Sequence, residues 1–457
     1  MQILKAYKFR LEPTAQQAQR LRQLGGCARY VWNHGLAETK RILDAGEKLP
    51  SAFELNRMLT SWKKDPEMAF LTEAYTDNLQ QKLKDLHGAW MRCFDKKLAA
   101  KAPVFKKKSD NRDAIRFVNF DKYCRLEKGR VKLPAGLVWV KFRQSQPVEG
   151  KIKNATVSQA AGHWYISFQV EQETSEPIHP SGSMVGLDAG IAKLATLSDG
   201  TVFEPVNSFK TNQTKLARLQ RQLSKKVKFS SNWKKQKAKI QRLHSHIANS
   251  RRDYLHKVTT TISKNHAMIV IEDLKVASMS KSAAGTTSQP GRNVRAKSGL
   301  NRSILDQGWF ELRRQLEYKQ AWRGGQVLAI NPAYTSQQCA CCGHTAKDNR
   351  QTQSQFKCAA CGYEANADVN GARNILGSSR DPGKVEVDRQ GAGKLVVSKH
   401  TTTITLLSPC IILILPPSGQ VIPSSPKRFL PTITPCLPLS LAPTSCPVVA
   451  DACNPRH

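Results

Sequence analysis

Two copies of the pattern Cys-x-x-Cys-Gly constrain this chain more than any other feature of its sequence. The first begins at Cys339 and the second at Cys358, with fifteen residues between Cys342 and Cys358. Two such turns present four thiolates to one tetrahedral ion, and each glycine lets the backbone turn tightly beside the metal. The spacing predicts a zinc ribbon whose Zn²⁺ is bound by Cys339, Cys342, Cys358 and Cys361.

The chain has 12 cysteines, and the ones outside this cluster are scattered. Disulfides within the cluster are the alternative, and they are disfavoured in a long chain that does not resemble a small secreted scaffold. Cys341 lies between two ligands and reads as a spectator, although a shifted ligand set that includes it stays open. Four thiolates leave no position for water, so this zinc is expected to be structural.

Charge gives the second constraint. Lys and Arg number 71 and Asp and Glu number 35, so the formal net charge is +36. Like charges at this density disfavour compaction unless a polyanion binds, and nucleic acid is the usual one. A merely soluble basic protein is the plainer reading. No apolar run is long enough to span a bilayer, and the start lacks a signal-peptide core, so a cytosolic protein without a membrane partner is expected.

Local periodicity predicts a multidomain α+β chain. Residues 1–10 alternate as a strand, Thr14 caps a helix, and residues 11–100 form a helical block with paired helices around Gly25–Gly26. Residues 103–175 favour an antiparallel barrel or sandwich. The expected strands are 105–109, 115–120, 130–134, 137–142, 155–159 and 163–171.

A different pattern begins at Val185. Two short strands precede a basic helical hairpin from about Lys210 to Lys264, turning near Ser230. A buried strand at 267–274, a mobile loop at 278–300, a helix at 301–323, a strand at 327–332 and a helix at 367–376 are expected after it. The loop is a candidate gate for a cleft, on its composition alone.

Three acids stand where elements end or begin. Asp188 and Glu272 end apolar strands, and Asp368 starts the helix after the ribbon. Carboxylates gathered in this way can bind two Mg²⁺ ions that activate water and hydrolyse a phosphodiester. Each acid also has a plain reading: Asp188 as a turn residue, Asp368 as a first-turn acid. Alternation puts Glu272 on the face of Met268 and leaves Asp273 to cap.

These motifs together resemble one family. AYKFRLEPT, VGLDAGIAKLATLSDG, HKVTTTISKNHAMIVIEDL, NPAYTSQQCACCGHTAKDNR and FKCAACGYEANADVNGARNIL are similar to segments of the TnpB (OrfB-type) proteins of insertion sequences, relatives of the miniature type V CRISPR effectors. The resemblance covers residues 1 to about 377. It implies an RNA-guided DNA endonuclease with a RuvC-type, RNase H-like centre at Asp188, Glu272 and Asp368, and zinc at the four ribbon cysteines.

The resemblance also implies the domain plan, the partners and further contacts. The partners are a guide RNA derived from the transposon end and target double-stranded DNA. Gln80, Gln81 and Lys84 lie where the family contacts the target-flanking motif. The implied domains are a wedge-type β-barrel (1–10 and 101–178), a helical recognition domain (11–100), a nuclease domain (185–335 and 364–378) and the zinc ribbon (336–363). The composition of residues 379–457, and not the resemblance, predicts a low-complexity, disordered tail.

Two other functions stay open. An RNA-directed DNA-binding regulator without cleavage fits the charge and the ribbon, although clustered acids beside phosphates argue against a pure binder. A strand-transferring transposase also uses three acids and metals. The extra Cys341 and the tail, which could be translated from a shifted frame, depart from the family pattern.

Overall fold

The computed structural model describes residues 2–98, 100–110 and 113–378, so the predicted tail lies outside the described residues. Fourteen strands and ten α-helices are labelled here in chain order. The strands are β1 Gln2–Glu12, β2 Ala114–Phe117, β3 Arg125–Glu127, β4 Arg130–Leu133, β5 Val138–Arg143, β6 Lys151–Ala160, β7 His163–Glu173, β8 Met184–Asp188, β9 Ala195–Leu197, β10 Val202–Phe203, β11 Met268–Glu272, β12 Gln326–Ile330, β13 Gln355–Lys357 and β14 Glu364–Asn366. The helices are α1 Ala15–Asp44, α2 Ala52–Trp62, α3 Thr76–Phe94, α4 Phe120–Tyr123, α5 Ser208–Ser224, α6 Ser231–Asn265, α7 Val276–Met279, α8 Val294–Gln307, α9 Trp309–Arg323 and α10 Ala367–Ser378.

The first sheet has seven antiparallel strands in the order β2-β6-β7-β1-β5-β4-β3. Within the described residues β2 and β3 are its outer strands, so the expected barrel is an open, half-barrel sheet. Alternation along β1 buries Phe9 and Leu11 and leaves Lys8 exposed, as the period of two predicts.

The helical block packs on this sheet around one shared apolar core that runs from Phe9 to Val170. Thr14 caps α1 as predicted, in a capping box with Gln17. The predicted pair of helices around Gly25–Gly26 is wrong, because α1 runs unbroken through both glycines. A side chain at Gly25 would come within 2.9 Å of the Asp113 Cβ, so this glycine permits close packing.

The predicted strand at 105–109 is also wrong. Side chains of α1 hold this segment instead: the Asn33 amide bonds both the backbone N–H and the carbonyl of Lys106, at 2.8 and 2.9 Å. The Trp32 indole N–H donates to the carbonyl of Val104 at 3.0 Å. Those backbone groups are therefore satisfied by a helix, and residues 108–110 form a short 3₁₀ turn.

The second sheet has the order β10-β9-β8-β11-β12, with β8, β11 and β12 parallel. Val185 and Leu187 of β8 share one face with Ile269 and Ile271 of β11, and this face packs on α6, α8 and α9. The other face carries Val270, which packs on α10. Helices on both faces explain why these short strands are nearly all apolar.

The basic hairpin is confirmed as α5 and α6, with Ser230 capping α6. Buried Asp306 fixes where it begins, since its carboxylate accepts from the backbone N–H groups of Phe209 and Lys210 at the start of α5. Arg251 of α6 donates to the same carboxylate at 3.3 Å. The hairpin is thus tied to α8 by charged hydrogen bonds inside the protein.

The structure corrects two predictions for residues 278–323. The loop predicted at 278–300 is shorter, because α7 ends at Met279 and α8 already begins at Val294. The helix predicted at 301–323 is interrupted at Gly308, whose φ of +75° is left-handed and ends one helix before the next begins. Among the described residues, none of the helices has both the length and the apolar composition needed to cross a bilayer.

Candidate active site and zinc ribbon

Asp188 and Glu272 end neighbouring parallel strands. The register pairs Leu187 with Ile271, so the next position on each strand holds an acid. Adjacent strands lie about 4.8 Å apart, and carboxyl ends of parallel strands share one edge of a sheet. The two carboxylates therefore lie side by side on the face that packs on α10.

Asp368 is brought to the same edge by α10. Asn366 begins this helix, because its side-chain oxygen accepts the backbone N–H of Asp368 at 3.0 Å. The helix crosses β8 so closely that a Cβ at Gly186 would come within 2.0 Å of the Ala372 carbonyl oxygen. One turn from Asp368, a Cβ at Gly371 would lie 3.2 Å from an Asp188 carboxylate oxygen.

The site is electrostatically crowded. Burial, then the charge of Glu272, then that of Asp368, raises the pKa of Asp188 to about 7, while Arg350 acts in the opposite sense. Burial also raises the pKa of Glu272. Neighbouring carboxylates that are partly buried favour either protonation of one of them or the binding of a cation. The structure therefore brings all three predicted acids into one electrostatic group.

Two polar side chains hold the acids in place. The Thr335 hydroxyl donates to a Glu272 carboxylate oxygen at 2.6 Å, which counteracts the rise in the pKa of Glu272. Arg350 forms an ion pair with Asp368 at 3.3 Å. Asp273 points away from the site to Arg313 of α9, so the prediction that alternation separates Glu272 from Asp273 is confirmed.

The donor set suits Mg²⁺. All three side chains offer hard oxygen ligands, and their mutual repulsion is relieved by a divalent cation. They do not form a tight cage for one ion: in the described part of the chain, the cysteines make the only group of three or more candidate ligands that all lie within 4.8 Å. Two ions about 3.5–4 Å apart need a wider arc of carboxylates.

The four ribbon cysteines do form such a cage. The sulfur atoms of Cys339 and Cys361 are 3.8 Å apart, and those of Cys342 and Cys358 are 3.6 Å apart. Zn–S bonds of about 2.3 Å in a tetrahedron place sulfurs about 3.8 Å apart, whereas a disulfide needs about 2.05 Å. The geometry fits Zn²⁺ bound by the predicted set, and Cys341 lies exposed outside it.

The turns that carry the four cysteines have the predicted form. Gly343 and Gly362 adopt φ values of +79° and +73° just after each pair of ligands. The backbone N–H of Cys361 points at the Cys358 sulfur and lowers the pKa of that thiol to about 6, which favours the thiolate that zinc binds. Fully buried Asn349 joins the two turns, since its amide bonds the carbonyl of His344 and the N–H of Ala359.

The ribbon and the acids are physically joined. Asn370 and Asn374 of α10 both donate to the carbonyl of Gln338, at 2.8 and 2.6 Å. Thr335 precedes the first turn of the ribbon, and Arg350 lies between the two turns, so both side chains that hold the acids come from this segment. We therefore expect distortion of the ribbon to displace Thr335 and Arg350, the side chains that contact Glu272 and Asp368.

Three family models match the chain. They are the OrfB IS605 model, described as a probable transposase, at residues 167–283; the Cas12f1-like TNB domain at 309–375; and the OrfB IS605 helix-turn-helix domain at 1–48. InsQ of Escherichia coli (strain K12), named as an RNA-guided DNA endonuclease, is 62% identical over 376 residues, which are 82% of this chain and 92% of InsQ. The chain belongs to the TnpB (OrfB-type) family.

More distant TnpB relatives are also found. A protein of Streptomyces pristinaespiralis with the same type of name is 33% identical over 379 residues, 82% of this chain and 89% of that protein. The solved Cas12f1–sgRNA–target DNA complex is 19% identical, with a TM-score of 0.31, and covers 82% of this chain and 100% of that chain.

The family resemblance also implies contacts of Gln80, Gln81 and Lys84 with the target-flanking motif. All three lie on α3 of the helical block, with Lys84 exposed and the two glutamines half-buried, and their contact with DNA stays a prediction. Thr335, Arg350, Asn349, Asn370 and Asn374 were missed. The run NADVN offered a signal for Asn370, but nothing in the sequence paired Thr335 with Glu272.

Proposed function

We propose that this chain is an RNA-guided DNA endonuclease encoded by a transposable element, acting in the cytosol, and that Asp188, Glu272 and Asp368 bind catalytic Mg²⁺. The observation that supports this most strongly is that Asp188 and Glu272 lie at one edge of the sheet beside Asp368 of α10, where burial and the charges of Glu272 and Asp368 raise the pKa of Asp188. The relative InsQ, named as an RNA-guided DNA endonuclease, supports the substrate class. The net charge of +36 supports polyanionic partners, proposed to be transposon-end RNA and double-stranded target DNA.

The proposed chemistry assigns each side chain a task. Bound Mg²⁺ would supply a hydroxide nucleophile and stabilise charge on the scissile phosphate. Asp188 and Glu272 hold the oxygen ligands on strands that cannot shift independently, because β8 and β11 are paired. Thr335 orients the Glu272 carboxylate, and Arg350 neutralises part of the acidic charge beside Asp368.

The two sheets are assigned to different parts of the proposed enzyme. The sheet of β8–β12 with α5–α10 forms the RNase H-like nuclease part, and the ribbon is a zinc-dependent insertion. The seven-stranded sheet and α1–α3 form the parts that hold guide and target. Their shared apolar core makes them one packing unit.

Programmable cleavage is the decisive test. The complex is purified with the RNA transcribed from its transposon end, the bound RNA is sequenced, and duplexes matched to its guide segment are incubated with Mg²⁺. We expect cutting that follows the guide when the guide is rewritten. Binding without cutting would support the regulator instead, and strand joining without RNA would support the transposase that the matching family description suggests.

A further inference from the structure

The tip of the basic hairpin exposes aromatic and aliphatic side chains. Val227 and Phe229, in the turn between α5 and α6, are 80% and 63% exposed. Trp233, in the first turn of α6, faces Phe229 with ring centroids 5.5 Å apart at 59°. Large apolar side chains at the end of a charged hairpin have no core to enter, so their exposure calls for a partner.

The backbone fixes the position of these exposed side chains. Phe229 has a φ of +70°, a left-handed conformation that bulky side chains disfavour. It persists because Ser230 caps α6, its hydroxyl accepting the N–H of Trp233 at 3.2 Å. Below the tip, buried Gln236 ties the arms together by donating to the carbonyl of Leu219 at 3.1 Å. The strained turn is fixed by its surroundings and aims the ring outward.

The surroundings of the rings are cationic. The ammonium of Lys228 lies 5.3 Å from the Phe229 ring centroid, and that of Lys237 lies 5.1 Å from the Trp233 ring centroid. Between Glu204 and Asp253 the chain has 14 Lys and Arg and neither Asp nor Glu. A purely apolar partner would leave these ammonium groups without counter-charge. A polyanion that carries flat rings would both pair with the ammonium groups and stack on the exposed aromatic rings.

We propose that Phe229 and Trp233 form a stacking platform for an unpaired base of the bound RNA, with Lys228 and Lys237 contacting the flanking phosphates. This rests on the proposed function, because RNA is the resident nucleic acid of such an enzyme. Proteins read RNA largely through unstacked bases laid on aromatic rings, whereas a duplex keeps its bases inside. The hairpin tip would then recognise a loop or a single-stranded end of that RNA.

Binding of defined probes to the RNA-free full-length protein tests the platform. The probes are a short oligouridine, a blunt RNA duplex of equal length and the matching single-stranded DNA. We expect the double variant Phe229→Ala, Trp233→Ala to weaken oligouridine binding about tenfold without changing duplex binding. Its salt dependence should stay unchanged because no charge is removed, whereas Lys228→Gln, Lys237→Gln should flatten it.

Matched variants separate stacking from simple apolar contact. Phe229→Leu keeps the apolar bulk without the ring and should lose single-strand affinity, whereas Trp233→Tyr should retain it. Phe310→Ala removes a Phe that is 69% exposed elsewhere and should change nothing. Unchanged oligouridine binding by the double variant, equal losses for duplex and single strand, or preferential binding of the DNA strand would each overturn the platform. Failure of the wild-type protein to bind any RNA would instead contradict the proposed function.

Discussion

Asp188 sits where an ionised carboxylate is disfavoured unless a cation is bound. Burial and its acidic neighbours raise its pKa from 3.8 to about 7, so the folded protein binds a proton that the unfolded chain releases near pH 4. This contribution to stability is present at low pH and is lost as the pH rises from about 4 through about 7. A pKa moved this far penalises the ionised form by about 4 kcal/mol.

Replacing this carboxyl by an amide should therefore stabilise the metal-free protein. We predict that Asp188→Asn, in chelator at about pH 8, raises the free energy of unfolding by up to about 4 kcal/mol and flattens its pH dependence. Added Mg²⁺ should stabilise the wild type and not the variant. Thermal melts against pH measure both effects. Asp199→Asn, in an exposed turn, is the control, and a variant less stable than wild type in chelator would contradict the interpretation.

Thr335 offers a test of positioning at a single hydroxyl. We predict that Thr335→Val, which removes the donor to Glu272 but keeps the side-chain shape, lowers the cleavage rate about tenfold while RNA affinity is unchanged. Thr345→Val, at an exposed threonine of the ribbon, should cut at the wild-type rate. Single-turnover cleavage rates measured with saturating complex test this prediction. Equal rates for Thr335→Val and Thr345→Val would contradict a role of Thr335 in positioning Glu272.

At the scale of elements, the contact between β8 and α10 sets the geometry of the acids. Gly186 lets the helix cross the strand, and a methyl group there would meet backbone atoms of Ala372 and Leu376 at 2.0 and 2.8 Å. Backbone atoms of a packed helix cannot yield as a flexible side chain can. The helix would have to move, and it carries Asp368.

We predict that Gly186→Ala destabilises the protein by about 3 kcal/mol and abolishes cleavage by displacing α10. Gly182→Ala, which meets nothing within 4 Å, should leave both stability and cleavage unchanged. Denaturant unfolding and cleavage assays on the two variants give the comparison. A Gly186→Ala variant with wild-type stability would show that the helix is not held by this contact.

At the scale of the whole molecule, the zinc ribbon supports the acids across several elements. Removal of Zn²⁺ frees the segment that carries Thr335 and Arg350, so we predict that a zinc chelator abolishes cleavage even with excess Mg²⁺, and that added Zn²⁺ restores it. RNA binding through the basic hairpin should persist. Cys341→Ser should keep both metal and activity, whereas Cys358→Ser should lose both. Cleavage by fully zinc-free protein would contradict the coupling.

Sequence reasoning succeeded where the signal was local and failed where it was not. The cysteine spacing predicted that four thiols would lie together, and the acids at the ends of elements predicted that three carboxylates would interact, because both patterns lie in short segments of the sequence. The sequence suggested a break at Gly25, because the reason for this glycine, the close approach of Asp113, lies far along the chain. For the same reason, periodicity could not show that Asn33 holds Lys106 away from the sheet, or that Arg350 reaches Asp368.

If Asp188, Glu272 and Asp368 cleave DNA together, removal of one carboxylate should abolish cutting while binding of the duplex persists. The RNA-bound complexes of wild type, Asp188→Ala and Asp199→Ala are each incubated with guide-matched duplex and Mg²⁺, after equal RNA content and equal duplex binding have been verified. We predict that Asp188→Ala binds the duplex normally but cuts at least about a thousandfold more slowly, whereas Asp199→Ala cuts like wild type. Cutting by Asp188→Ala at the wild-type rate would contradict the assignment of the site.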